Sequence, residues 1–258
     1  MSNVIRADFY RIMHSKMFYM TQLTLFLILL GSILSHTTIL AGMQSDELIN
    51  LVHQLEKHKW TGANVLLASS LMAGLLIYCY IPLFVLSVGF ELTQGTIKNI
   101  ITIGTSRWKF FISKYTTFVL ISAFQLIIYY IFSFFIACFH TGIGDLNDLL
   151  FSKFIESIGI QFISLHAIFV LTLLVLYAFQ SNIAALIVTI ILPTLLSTVS
   201  VIVFPNNKIT KYLDFQGNIN STFLTMPQYF WTKVLLSAFA VIVIGGLFSY
   251  AIFKKRDL

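Results

Sequence analysis

The sequence predicts an all-α integral membrane protein with six transmembrane helices. Three observations carry that expectation. Hydrophobic residues make up 58% of the 258-residue chain and charged residues only 10%, against about 25% charged in an ordinary soluble domain. Lys, Arg, Asp and Glu are missing from five long runs: 17–45, 60–90, 115–144, 157–207 and 234–253. None of these runs alternates polar with apolar residues, which argues against a membrane β-barrel, and an open sheet in lipid would leave its backbone groups unpaired.

The elements can be taken in order. A helix needs about 20 apolar residues to cross a hydrocarbon core of about 30 Å. Four runs suit one span each, and 157–207 is long enough for two. Its most polar short stretch, Gln180-Ser181-Asn182, marks the turn between them. The expected spans are therefore 17–40, 64–90, 115–139, 154–179, 183–204 and 229–253. Ahead of the first, Ile5, Phe9, Ile12 and Met13 recur at helical spacing among Arg6, Arg11 and Lys16, the pattern of an amphipathic interfacial helix. The first charge-free run is too long for a cleaved signal peptide. Leu40-Ala41-Gly42 is similar to the start of a lipoprotein signal, but Met43 stands where the lipidated cysteine would be.

Between spans one and two, Leu48, Leu51, Val52 and Leu55 share a face, as in a short helix. The segment 205–228, bounded by Pro205 and Pro227, reads as a loop with one short element. Pro82 and Pro193 lie inside spans two and five and predict bends there. Residues 1–258 thus form one transmembrane domain, without an internal repeat or a nucleotide-binding domain.

Orientation follows from Lys and Arg. With the N-terminus inside, the cytoplasmic segments hold ten bases: Arg6, Arg11, Lys16, Lys98, Arg107, Lys109, Lys114, Lys254, Lys255 and Arg256. The outer side holds six: Lys57, Lys59, Lys153, Lys208, Lys211 and Lys233. Both termini are therefore expected in the cytoplasm. The net charge of +6 is dispersed in short clusters between apolar runs, which leaves no soluble domain to hold a nucleic acid.

Several chemistries lack their residues. No G-x-x-x-x-G-K-[ST] phosphate loop and no H-E-x-x-H occurs, so no catalytic set and no metal site is expected, and the chain is not read as an enzyme. His53, Glu56 and His58 read as a solvated loop. Cys79 and Cys138 both sit in apolar runs, and a disulfide between them is not expected. No acid falls at mid-depth in a span, unlike in proton- or ion-coupled carriers. The deep polar groups are Gln125, Gln161, Ser164 and His166. Gln125, Gln161 and His166 are candidates for a substrate path and equally for hydrogen bonding between helices.

The connection between spans two and three is the most informative segment. Gly95 can end the second span's helix. Thr96 can cap a short helix through Asn99–Ile103, Gly104 can close it, and Ser106 can cap the helix into span three. Here the chain resembles the type 2 ABC transporter permeases. These carry an acidic residue, then G-T-[IV]-[KR]-N, then G-x-[ST]-R and a Lys before the third span. Glu91, Gly95-Thr96-Ile97-Lys98-Asn99, Gly104, Ser106-Arg107 and Lys114 match in order. The ending Phe253-Lys254-Lys255-Arg256-Asp257-Leu258 is similar to that of many members.

The resemblance implies a permease subunit in a bacterial cell membrane, paired with a second permease, identical or related, and with two cytoplasmic ATPase subunits. Those subunits, not this chain, would hold ATP and Mg. Residues 95–107 would be the coupling helix, with Glu91 beside it. Among relatives, a permease of this size looks most like those of lantibiotic immunity and peptide export, which implies an amphipathic peptide, antibiotic or lipid-like substrate. The competing reading is a non-transporting membrane anchor or sensor for a cytoplasmic protein.

Overall fold

The computed structural model describes residues 2–255 except 43, 103, 146, 147, 206 and 228, and within them not the side chains of residues 2, 93 and 98–100. Every regular element among the described residues is helical, and six helices are long and apolar enough to cross a membrane. Lipid tails are as apolar as the side chains, so burial from water does not hold such helices together. Close packing and interhelical hydrogen bonds do.

Helix α1 (Ser2–Met13) lies against the bundle, with Ile12 buried and Phe9 and Met13 packed on the core. A corner at Ser15, in extended backbone, separates it from α2 (Lys16–Ser35). The first span thus stops five residues before the expected position 40. His36 turns left-handed (φ 51°), and the N–H groups of His36 and Thr37 close on Ile33 and Ser32. Helix α3 (Asp46–Glu56) buries Leu48 and Val52 against Leu71 and Leu224, as its spacing predicts.

The second span differs most from expectation. It starts as α4 (Gly62–Leu71), breaks through a 3₁₀ turn at Ala73–Leu75, and resumes as α5 (Leu76–Phe84). A π turn at Val85–Gly89 then leads into α6 (Phe90–Gln94). Pro82, where a bend was expected, lies inside α5 three residues ahead of the π turn, and the break at Ala73–Leu75 falls earlier in the chain. At that break Asn220 inserts. Its Oδ1 accepts from the Gly74 N–H at 2.9 Å, and a Cβ on Gly74 would stand 2.5 Å from that oxygen. The groups freed at the break find side-chain partners elsewhere. Tyr129 donates to the Ser69 carbonyl at 2.7 Å and Gln161 to that of Ser70 at 3.2 Å. Non-helical backbone at membrane depth is tolerated only when protein satisfies it in this way.

After the short helix α7 (Ile97–Thr102), helix α8 (Arg107–Thr141) begins eight residues before the expected 115, because Ser106 caps it. Helix α9 (Asp148–Phe179) runs through the middle of the bundle along α4, α8, α10 (Asn182–Thr198) and α13 (Phe230–Lys255). The turn between α9 and α10 falls where expected. Gln180 is left-handed (φ 51°), and the Ser181 hydroxyl accepts from the Ala184 N–H at 3.3 Å. A second π turn, Val199–Val203, ends the fifth span.

Segment 205–228 holds two short helices, α11 (Lys208–Leu213) and α12 (Phe215–Asn220), where one element was expected. Asp214 separates them and caps α12. The apolar side chains Phe215 and Ile219 are buried in the main core, so this segment plugs the bundle. Cys79 and Cys138 are both free thiols.

Candidate functional site

Gly95 terminates α6 in the left-handed region (φ 63°), with its own N–H on Leu92 O at 3.3 Å and that of Thr96 on Glu91 O at 3.1 Å. Helix α7 follows at once, with Ile97 buried. Gly104 (φ 99°) then donates to Ile101 O at 3.0 Å, and the Ser106 hydroxyl accepts from the Lys109 N–H at 3.3 Å. A Cβ on Gly95 or Gly104 would meet nothing within 4 Å. Glycine is required there by backbone angle, not by space.

The two glycines and Ser106 thus occupy the roles their sequence positions predict. Thr96 is half-buried ahead of α7, and no bond from its hydroxyl is found among the described residues. The side chains of Lys98 and Asn99, and residues 256–258 of the basic ending, lie outside the described residues. Arg107 donates through Nη1 to the Lys254 carbonyl at 2.6 Å, which ties the start of α8 to the end of α13.

Behind this connection sits an ion cluster that the sequence reading did not assemble. Lys114, with a side chain only 1% exposed, donates to both Asp8 oxygens at 2.7 Å and to Glu91. Arg11 reaches Glu91 Oε1 at 2.7 Å and Asp8 Oδ1 at 3.1 Å, and covers the Phe90 ring at 4.1 Å. Its Nη2 also donates to Leu86 O at 2.8 Å, a carbonyl within the π turn. Two acids and two bases cancel formally. Burial pushes the Asp8 carboxyl up from the usual range and Glu91 adds to this, while Lys114 and Arg11 pull it down.

Glu91, expected beside segment 95–107, accepts there through its carbonyl from Thr96, while its side chain pairs with Arg11 and Lys114. The signal for this in the sequence is Asp8, an acid on the apolar face of a basic amphipathic helix. The cluster joins three elements, α1, the end of the second span and the start of the third.

The deeper candidates are placed as follows. Gln161 is the hub of a buried polar set. Its Nε2 donates to Ser70 Oγ at 2.7 Å and Thr222 Oγ1 at 3.3 Å, and its Oε1 accepts from Tyr130 at 2.5 Å. His166 bridges Tyr115 (3.3 Å) and Ser122 (3.0 Å) within α8, walled by Phe118 and Phe162. Gln125 accepts from Gln22, which joins α8 to α2. The three are not brought together, and each holds neighbouring helices through hydrogen bonds. Ser69, Ser70, Ala73 and Gly74, a small-residue pattern suited to contact between subunits, are all buried within this chain.

Fold and site together define a multi-pass helical membrane protein with a glycine-bounded inter-span helix backed by buried charge. The chain belongs to the family described as protein of unknown function, DUF2705, whose match covers residues 42–258. The matched region takes in Glu91, α7 and Lys114, and starts after α1. No curated protein matches the chain.

Proposed function

We propose that this chain is the transmembrane permease subunit of an ATP-driven exporter of the type 2 ABC class. It lies in a bacterial cell membrane with both termini in the cytoplasm. It works with two cytoplasmic ATPase subunits that carry ATP and Mg, and with a second permease, identical or related. The substrate is an amphipathic peptide, antibiotic or lipid-like compound, as in lantibiotic immunity.

The observation that carries this reading is α7, a short helix set between Gly95 and the Ser106 cap and placed between two spans. Both flanking helices are fastened to the body of the protein, by Glu91 on one side and by Lys114 and Arg107 on the other. A push on α7 by an ATPase would therefore move spans two and three together rather than flex a loose loop. The excess of Lys and Arg on the segments at this end supports a cytoplasmic position for it.

The test is disulfide or maleimide cross-linking. With Cys79 and Cys138 replaced by Ala, single cysteines at 96, 101 and 104 are expected to cross-link to the ATPase, and cysteines at 49 and 53 on α3 are not. Absence of any cross-link from 96–104 would favour the anchor or sensor reading. Gly104→Ala is expected to cost about 1 kcal/mol locally, since an L residue is strained at that φ. It should lower permease-stimulated ATP hydrolysis while membrane insertion stays intact.

A further inference from the structure

A cavity of about 580 Å³ opens at the end of the bundle opposite the termini. Its wall is built from α11, α12, the π turn Val199–Val203 and the start of α13, and the first turn of α3 closes one side. Val201, Pro205, Met226 and Phe230 supply its apolar part. The volume falls among small-molecule sites, about 300–1,000 Å³.

Asp214 belongs to this wall and is 6% exposed. Its Oδ2 accepts from the Ser200 hydroxyl at 2.6 Å and its Oδ1 from the Gly217 N–H at 2.9 Å. No cation pairs with it among the described residues, although Lys208 and Lys211 line the same cavity and are exposed. Burial pushes this carboxyl up from the usual range, and the Ser200 and Ser197 hydroxyls and the Gly217 N–H oppose the shift only in part. A buried carboxylate without a counter-charge is costly. Here that cost sits beside open space.

We propose that the cavity binds an ammonium-bearing amphiphile, its ammonium on Asp214 and its apolar body against Val201, Met226 and Phe230. Each carboxylate oxygen has lone-pair capacity for a further donor. The wall already presents aromatic faces to a cation: Lys233 Nζ lies 5.6 Å from the Tyr212 ring and 5.0 Å from that of Tyr229. The charged lining residues are Asp46, Glu47 and Asp214 against Lys208 and Lys211, with Lys233 beside the wall, so the buried acid of the site is Asp214. The inference rests on the permease reading only for its link to transport, since binding itself needs no ATPase. The ammonium can come from a peptide or from an aminophospholipid headgroup.

The full chain in digalactosyldiacylglycerol nanodiscs, whose lipid carries no ammonium, is titrated with a fluorescent Leu-Phe-Leu-Lys amide, followed by anisotropy. Wild type is expected to bind. Acetylating the peptide's amines, or making Asp214→Asn, should weaken binding by about tenfold or more. Asp214→Asn should melt no lower than wild type, because Asn still accepts from the Gly217 N–H and donates to the Ser200 hydroxyl. Phosphatidylethanolamine in the discs separates the sources: binding that it abolishes assigns the ammonium to lipid, and binding that it leaves intact assigns it to peptide. Three results overturn the proposal. One is no binding by wild type. Another is equal binding with acetylated peptide or with Asp214→Asn. The third is an equal drop in melting temperature for Asp214→Asn and Lys211→Ala at unchanged affinity, which would make Lys211 the internal counter-ion. No ATPase is present, so failure here leaves the α7 cross-linking result standing.

Discussion

Lys114→Met is expected to destabilise the protein by about 3–5 kcal/mol, the loss seen when one partner of a buried ion pair is removed. Lys114 contacts Asp8 and Glu91 together, and its side chain is almost wholly enclosed. Without it two carboxylates face each other with Arg11 as their sole cation, and Arg11 is itself 27% exposed. Glu91→Gln should cost less, because Lys114 and Arg11 both keep Asp8. The quadruple replacement Asp8→Leu, Arg11→Met, Glu91→Leu and Lys114→Met should melt above Lys114→Met alone, since apolar packing replaces an ion cluster more cheaply than an orphaned charge is tolerated. Melting of the detergent-purified variants, followed by intrinsic fluorescence, checks the order. If the quadruple variant is the least stable of all, charge balance is not what holds α1 to the second and third spans.

Much of this fold was legible in the sequence because a membrane imposes long apolar runs. Five gaps in the charge pattern located the six helices long and apolar enough to span. Gln180-Ser181-Asn182 divided the longest run correctly, since a left-handed residue followed by a Ser cap is a local signal. Gly95, Gly104 and Ser106 were legible for the same reason. The break in the second span was not. Ser69 to Leu75 is uniformly small or apolar, and what breaks the helix there is Asn220, which lies 146 residues away from Gly74. The ion cluster was hidden in a similar way. Arg11 counted only in the charge pattern and Glu91 and Lys114 in the motif, and only the docking of α1 brings Asp8 and Arg11 to Glu91 and Lys114. Gln161 and His166 were recognised as deep polar residues. Their partners come from α4, α8 and the turn after α12, so no local spacing separates a substrate contact from a packing contact.

Asn220→Ala is expected to be the most costly single change at the opposite end of the bundle. Asn220 is fully buried; its Oδ1 accepts from the Gly74 N–H and its Nδ2 donates to the Ala41 carbonyl at 2.8 Å. The substitution leaves both groups without that partner in a site closed to water, at about 1–3 kcal/mol for each. Leu in place of Asn would fill the volume and still orphan both, so Asn220→Leu should not rescue. The space relation to Gly74 gives a sharper test. Gly74→Ala alone places a methyl group 2.5 Å from Asn220 Oδ1 and should displace the side chain, losing the same hydrogen bond through the other partner. In the Asn220→Ala background that methyl group enters vacated space, and helix propensity at position 74 improves by about 1 kcal/mol. The double variant is therefore expected to lose less than the sum of the two single losses, with a coupling of about 1–3 kcal/mol. Additive losses to within about 0.5 kcal/mol would mean that Asn220 does not hold the break in the second span, and that the 3₁₀ turn at Ala73–Leu75 is set by the packing of α4 and α12 alone.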